Sequence, residues 1–214
     1  MLKMMGWDMD GTMCDTVPMC VEAFRRAMMP YWKKRLSNEE IFSLFGLSET
    51  GLVKMVVGEA WEKADEDFHR HYEALLEDGV ALFPGILEIF QLLEQNGIRK
   101  VLITGKGRRS CDMTLRKLGL TEAFEEICVG TEERLNKGEH ITTLLKKYHL
   151  QPEEFCYVGD AVSDVAACRE AGVLSLSAAW APSADTEGLR RVNPTHIFEN
   201  VADLKKQIRF MIGT

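Results

Sequence analysis

The sequence predicts an α/β protein: a parallel sheet covered by helices on both faces, interrupted near its start by an all-helical insertion. Three observations predict it. Beyond residue 85, short apolar runs alternate with amphipathic stretches, the rhythm of strand–helix units. Residues 2–7 form one more apolar run, far upstream of the others. Between them, residues 16–79 show helical patterning and no strand signal.

The elements follow in order. Residues 2–7 read as a buried strand ending at Asp8-Met9-Asp10-Gly11-Thr12. Thr16 is placed to cap a helix with Pro18 in its first turn. Ser37-Asn38-Glu39-Glu40 has the form of a capping box. A further helix is expected over 59–76, ending near Asp78-Gly79. After Phe83-Pro84-Gly85, Ile86, Ile89, Phe90 and Leu93 share one helical face, and Asn96-Gly97 closes that helix. Strands are then expected at 100–104, 127–129, 155–158, 173–177 and 196–198, with helices at 108–118, 139–148, up to Gly172, and 201–211. The chain thus divides into a core of residues 1–14 and 80–214 and a helical insertion of residues 15–79.

Composition narrows the function. The 214 residues are 46% hydrophobic and 28% charged, with a net charge of −7 and no basic block. Such a chain is a poor candidate for nonspecific nucleic-acid or membrane binding. The six cysteines, Cys14, Cys20, Cys111, Cys128, Cys156 and Cys168, form no Cys-x-x-Cys pair and no zinc-finger spacing, so free thiols in a reducing compartment are expected. With no signal-peptide core and no membrane-length apolar run, the location is expected to be cytoplasmic. Monomer and homodimer both remain open.

In an open parallel sheet, ligands bind where the strands end. Asp8, Asp10, Gly11 and Thr12 follow the first strand. Thr104, Gly105, Lys106 and Gly107 follow the second, a loop holding Lys137 follows the third, and Gly159, Asp160 and Asp164 follow the fourth. Carboxylates gathered at one edge repel one another unless a cation joins them. Asp8 and Asp160 can supply hard oxygen ligands to Mg²⁺. Asp8 is also a competent nucleophile toward phosphorus, and Asp10 can act as acid and base beside it. Thr104 and the turn after it can hold phosphate oxygens, with a lysine offsetting their charge.

Residues 7–16, Trp-Asp-Met-Asp-Gly-Thr-Met-Cys-Asp-Thr, resemble the first motif of the haloacid dehalogenase superfamily. Thr104 resembles its second motif, Lys137 its third and Gly159-Asp160-Ala161-Val162-Ser163-Asp164 its fourth. The helical insertion is similar to the cap of the phosphoglycolate phosphatase-like branch, and Ser43-Leu44-Phe45-Gly46-Leu47-Ser48 to its substrate-facing loop. The resemblance implies a Rossmann-like core with a cap domain, and a Mg²⁺-dependent phosphatase acting on a small phosphorylated metabolite. It implies Asp8 as nucleophile and metal ligand, Asp10 as acid/base binding metal through its carbonyl, and Asp160 as direct ligand. Asp164 would be an outer or alternate ligand. Thr104 and Lys137 would bind the phosphoryl group, with Gly11, Thr12, Gly105, Lys106, Phe45 and Gly46 near substrate. Gly105 replaces a common Asn and Gly138 a common Pro, so Lys106 is an alternative phosphate lysine.

Blander roles compete. Asp15 and Thr16 are expected to cap and shape the hinge, and His69 and His71 to pack or face solvent. Arg108 and Arg109 are expected to be solvated, and Trp180 to line either the site mouth or the core. A phosphosugar mutase or a pyrophosphatase of the same fold is the nearest rival. Residues 43–48 hold no Arg or Lys for a second phosphate, which weighs against the mutase. A non-catalytic binding protein is the remote one, disfavoured because Asp8, Asp10 and Asp160 are all present.

Overall fold

The computed structural model describes residues 1–31, 37, 40, 41 and 47–213. Six strands form one parallel sheet in the order β3-β2-β1-β4-β5-β6. They are β1 (Met4–Trp7), β2 (Arg99–Ile103), β3 (Glu126–Cys128), β4 (Phe155–Gly159), β5 (Leu174–Ala178) and β6 (Ile197–Phe198). The register pairs Gly6 of β1 with Val101 of β2 on one side and Tyr157 of β4 on the other. The order reverses direction at β1/β4, and this switch point is where an open parallel sheet leaves a crevice.

The period of two along each strand builds two cores. Met5 and Trp7 of β1, Leu102, Cys156 and Val158 face one cluster, closed by Ile89, Leu93 and Ile208. Met4, Val101, Ile103, Phe155 and Tyr157 face the other, closed by Ile141, Leu144 and Cys168. The first cluster is covered by α4 (Ile86–Gln95), α5 (Arg108–Leu118) and α9 (Val201–Ile212), the second by α6 (Lys137–Lys147) and α7 (Val162–Ala171). A short helix, α8 (Thr186–Val192), lies outside the elements expected from sequence.

Between β1 and α4 the regular elements among the described residues are helices, as expected: α1 (Val17–Met28), α2 (Glu49–Val57) and α3 (Trp61–Glu77). Val21, Phe24, Leu52, Phe68 and Tyr72 build a separate apolar cluster, joined by Met113 of α5. The expected box at residue 37 is present: the Ser37 N–H donates to Glu40 (2.8 Å) and the Glu40 N–H to Ser37 Oγ (3.2 Å). Thr16 is a correction. It stands at the start of α1, but its hydroxyl donates to the Asp10 carboxylate instead of closing a cap. The insertion leaves and rejoins the sheet side by side, with Phe83 N–H donating to the Met13 carbonyl (2.8 Å) and Cys14 paired to Leu82. It rests on the sheet unit through Ser48 N–H to the Thr131 carbonyl (2.9 Å), Tyr72 Oη with Thr114 Oγ1 (2.8 Å) and an Arg109–Glu66 ion pair. No helix among the described residues is long and apolar enough to cross a membrane.

Candidate active site

Asp8 stands at the carboxyl end of β1, and its N–H still pairs with the Val158 carbonyl of β4 (2.9 Å). The side chain is buried. Met9 N–H donates to Oδ1 (2.7 Å) and Lys137 Nζ to Oδ2 (2.6 Å). Lys137 also donates to Asp164 (2.6 Å). A loop lysine was expected here, but Lys137 opens α6 itself. The reason is Asn136, buried just before it, whose amide ties the helix start to the Val129 carbonyl (3.1 Å).

Asp160 arrives from the end of β4. Thr12 Oγ1 donates to it (3.2 Å), while the Thr12 carbonyl accepts from Trp180 Nε1 (3.1 Å). Trp180 therefore braces the Asp8–Thr12 loop from behind, packed edge-on to Phe83. Gly11 has φ +74°, and a Cβ there would stand 2.2 Å from Asp160 Oδ2. Only glycine allows both that turn and that approach. Gly11 and Thr12 thus support Asp160 and do not line the cavity as expected of substrate contacts. Gly159 is similarly crowded, a Cβ meeting Asp164 Oδ2 at 2.2 Å.

Oxygens of Asp8, Asp160 and Asp164 lie within 4.8 Å of one another. Burial, opposed by Lys137 and reinforced by the Asp164 charge, pushes the Asp8 carboxyl up to about 6. Burial and the charges of Asp8 and Asp164 hold Asp160 well above the usual carboxylate range. Burial works against the Lys137 ammonium, but Asp164 and Asp8 more than offset it and keep it charged. Three crowded carboxylates with one lysine form an all-oxygen anionic set, which a hard divalent cation fits. Asp164, expected as an outer or alternate ligand, is fully buried beside Asp8 and Asp160 and also accepts the Ala161 N–H (3.2 Å).

Asp10 faces the insertion. Its carboxylate accepts from Thr16, from Lys106 Nζ (3.1 Å) and from Cys20 Sγ (3.8 Å). Lys106 is buried, 2.9 Å from Cys20 Sγ, 3.3 Å from Glu49 and 4.4 Å from the Tyr72 ring centre. Burial disfavours its charge, but Asp10 and its other neighbours raise it well above an ordinary lysine. Glu49, at the start of α2, accepts from Gly107 N–H and Ser110 Oγ, each at 2.6 Å. Thr104 Oγ1 accepts the Lys106 N–H (3.2 Å) and holds the turn after β2.

A cavity of about 370 Å³ opens over these groups. Asp8, Asp10, Thr104, Gly105, Lys106, Lys137 and Asp160 line it. Phe45 and Gly46 lie outside the described residues. Cys20, Glu49 and Asn136 are among the lining residues that the sequence does not single out for the site. Glu49 follows Ser48, whose Oγ accepts the Gly51 N–H (3.4 Å), so a helix-start signal was legible there but its reach to the sheet unit was not. Arg108 and Arg109 are exposed, and the latter spans to Glu66. His69 is buried against Asp65.

A parallel sheet with an aspartate pair at its switch point and a helical insertion just after that pair defines a class of hydrolase. The chain belongs to the haloacid dehalogenase-like hydrolases, whose family profile matches residues 6–178. A phosphoglycolate phosphatase of Chromobacterium violaceum is 28% identical over 191 residues, covering 84% of this chain and 86% of that protein. A pyrophosphatase PpaX of Anoxybacillus flavithermus is 24% identical over 206 residues, covering 92% and 93%. Among solved structures, a predicted phosphoglycolate phosphatase from Haemophilus somnus superposes with TM-score 0.81 at 20% identity, covering 97% of this chain and 98% of that one. CbbY from Rhodobacter sphaeroides, solved with phosphate, superposes with TM-score 0.78 at 17% identity, covering 95% and 96%.

Proposed function

We propose that the protein is a Mg²⁺-dependent phosphatase that hydrolyses a small phosphomonoester through a phospho-aspartyl intermediate on Asp8. The observation that carries this reading is the placement of Asp8. It lies at the switch point, its carboxylate held by Lys137 and Met9 N–H, and it opens into a cavity that Asp10 also faces. The relatives named phosphoglycolate phosphatase and pyrophosphatase support it. Asp8 attacks phosphorus as the bond to the leaving oxygen breaks, and Asp10 gives that oxygen a proton. Asp10 then takes a proton from the water that attacks the acyl phosphate, releasing inorganic phosphate and restoring Asp8. Thr104 and Lys137 hold the transferring oxygens. Asp8, Asp160 and Asp164, with the Asp10 carbonyl, would hold the Mg²⁺, which supplies charge neutralisation for the phosphoryl group. In this reading residues 15–79 are a cap domain that closes over substrate and excludes water. The cysteines among the described residues are free thiols, which supports a cytoplasmic setting.

Phosphate release from a panel of monoesters, with and without Mg²⁺, tests the reading. Metal-dependent release that is lost in Asp8→Asn supports it. Full activity in Asp8→Asn sinks the covalent route, and no release from any ester sinks the phosphatase.

A further inference from the structure

Four strand ends supply chemical groups to the cavity: Asp8 after β1, Thr104 after β2, Lys137 after β3 and Asp160 after β4. The fifth strand reaches the same site from behind. β5 closes at Ala178, and Ala179 N–H still pairs with the Phe198 carbonyl of β6 (2.8 Å), so Trp180 leaves the sheet from a fixed point. Its indole crosses back to the loop after β1, where Nε1 donates to the Thr12 carbonyl (3.1 Å). Phe83 packs edge-on against it, ring centres 6.5 Å apart and planes at 74°. The loop it meets is bonded largely to itself. The N–H groups of Thr12, Met13 and Cys14 turn to the Met9 carbonyl (3.3, 2.9 and 3.3 Å), and Gly11 N–H to the Cys14 carbonyl (2.9 Å). Such bonds fix the shape of a turn but not its place against β4.

We infer that Trp180 is a positioning residue for the cation end of the site: its indole N–H fixes the Thr12 peptide, and Thr12 with Gly11 fixes the Asp160 carboxylate. This rests on the metal-dependent reading above, in which Asp160 is a ligand. Thr12 ties the turn to its surroundings at two points, its hydroxyl donating to Asp160 Oδ1 (3.2 Å) and its carbonyl accepting from Trp180. Thr12 is fully buried, so its carbonyl, robbed of that donor, is driven to turn toward another and carries the side chain with it. Gly11 leaves no slack, since a Cβ there would stand 2.2 Å from Asp160 Oδ2. Trp180 itself is not among the cavity walls, so its effect falls on metal affinity and not on ester binding. Groups that orient a metal ligand from outside the coordination sphere set affinity by about 10–100-fold. Trp180 acts through Thr12, one bond further out, so the lower end of that range is expected.

Calorimetric titration of Mg²⁺ into wild type, Trp180→Phe, Thr12→Val and the double variant tests this. Phenylalanine keeps a ring against Phe83 and removes the N–H. Trp180→Phe is expected to raise the Kd for Mg²⁺ about tenfold. The Mg²⁺ concentration for half-maximal phosphate release should rise with it, while KM for the ester stays unchanged. Because Trp180 works through Thr12, adding Trp180→Phe to Thr12→Val should weaken binding little further. Should Trp180→Phe fail to fold, Trp180→Leu is read in the same way. A wild-type Kd in the Trp180 variant would overturn the inference even if its Tm fell, because packing alone would then account for the indole. Losses that add in full in the double variant would overturn the route through Thr12. Weakened Mg²⁺ binding in a protein that turns over no ester would uphold the positioning role and overturn the phosphatase. A wild-type protein that binds no Mg²⁺ would overturn the metal reading and this inference with it.

Discussion

Glu49 offers the sharpest test of how the insertion is seated. Its carboxylate joins α2 to the start of α5 through Gly107 N–H and Ser110 Oγ, and it faces Lys106 at 3.3 Å. The side chain is only 10% exposed, so water screens these contacts little. In Glu49→Ala, Ser110 keeps a bond to the Gly107 carbonyl (3.2 Å). The Gly107 N–H loses its acceptor, and among the described residues Lys106 keeps Asp10 as its carboxylate partner, beside Cys20 and Tyr72. A charge-assisted bond contributes about 1.5–3 kcal/mol, and breaking a buried pair costs about 3–5 kcal/mol, so a loss of about 3–4 kcal/mol is expected. At about 2–4 °C per kcal/mol for a chain of this size, Tm should fall by about 6–16 °C. Urea denaturation followed by circular dichroism measures the free-energy loss directly. Glu49→Gln keeps an acceptor for the Gly107 N–H but no charge for Lys106, and should lose about half as much. An alanine variant within about 0.5 kcal/mol of wild type, the range of an uninvolved surface change, would refute the role given to this carboxylate.

Other expectations follow from the same contacts. Gly11→Ala, at φ +74° and against Asp160 Oδ2, should lose about 1–3 kcal/mol of stability and most phosphatase activity, read by denaturation and phosphate release. Mg²⁺ at a hundredfold its Kd should stabilise the fold by about 2.7 kcal/mol, reversed by EDTA and absent in Asp160→Ala, as thermal shift would show. His69 sits 3.3 Å from Asp65. Burial disfavours its charge, but Asp65 overrides this and raises its pKa above 6.5; burial of Asp65 is likewise overridden, by His69 and Thr50, and its pKa falls below 3.8. The His69 contribution is therefore complete below the unfolded value of 6.5 and lost as pH rises through the higher folded value. The Asp65 contribution is complete above 3.8 and lost as pH falls through the lower folded value. The Tm advantage of wild type over His69→Gln should shrink as pH rises above 6.5, and a constant advantage would contradict the ion pair.

Much of this architecture was legible in the sequence because it rests on local patterning. Ile86, Ile89, Phe90 and Leu93 mark α4 by period alone, and Met4–Trp7 is apolar on both faces as a central parallel strand must be. The strand ends named Asp8, Thr104, Lys137 and Asp160 because topology alone brings them to one edge, and they line one cavity. What sequence could not supply was tertiary pairing. Thr16 has the chemistry of a cap, and only the fold shows that Asp10 lies nearer its hydroxyl. Thr12 looked like a substrate contact, but the reach of Asp160 across 148 residues claims it. Glu49 could be placed at a helix start, yet its partners lie more than fifty residues away.

The two lysines posed as alternatives in the sequence serve different aspartates. Lys137 holds Asp8, and among the described residues the hydrogen-bond partners of Asp8 come from the sheet unit: Met9 N–H in the loop after β1, Val158 through the backbone, and Lys137 from α6. Lys106 holds Asp10 in surroundings the insertion helps to build, with Cys20 from α1 and Glu49 from α2 on the same ammonium. The nucleophile proposed here thus stands on a rigid strand end, where orientation is fixed whatever the insertion does. The proposed acid/base stands where insertion and sheet meet. Withdrawing α1 and α2 would remove Cys20 and Glu49 from Lys106 and leave Asp10 its one carboxylate partner among the described residues, strengthening the grip of the lysine on Asp10. Seating the insertion shares that ammonium with Glu49 and loosens its hold. The carboxylate proposed to pass a proton to the leaving oxygen is thus the one whose surroundings the insertion completes, with Thr16 and Cys20 on Asp10 itself and Glu49 on its lysine.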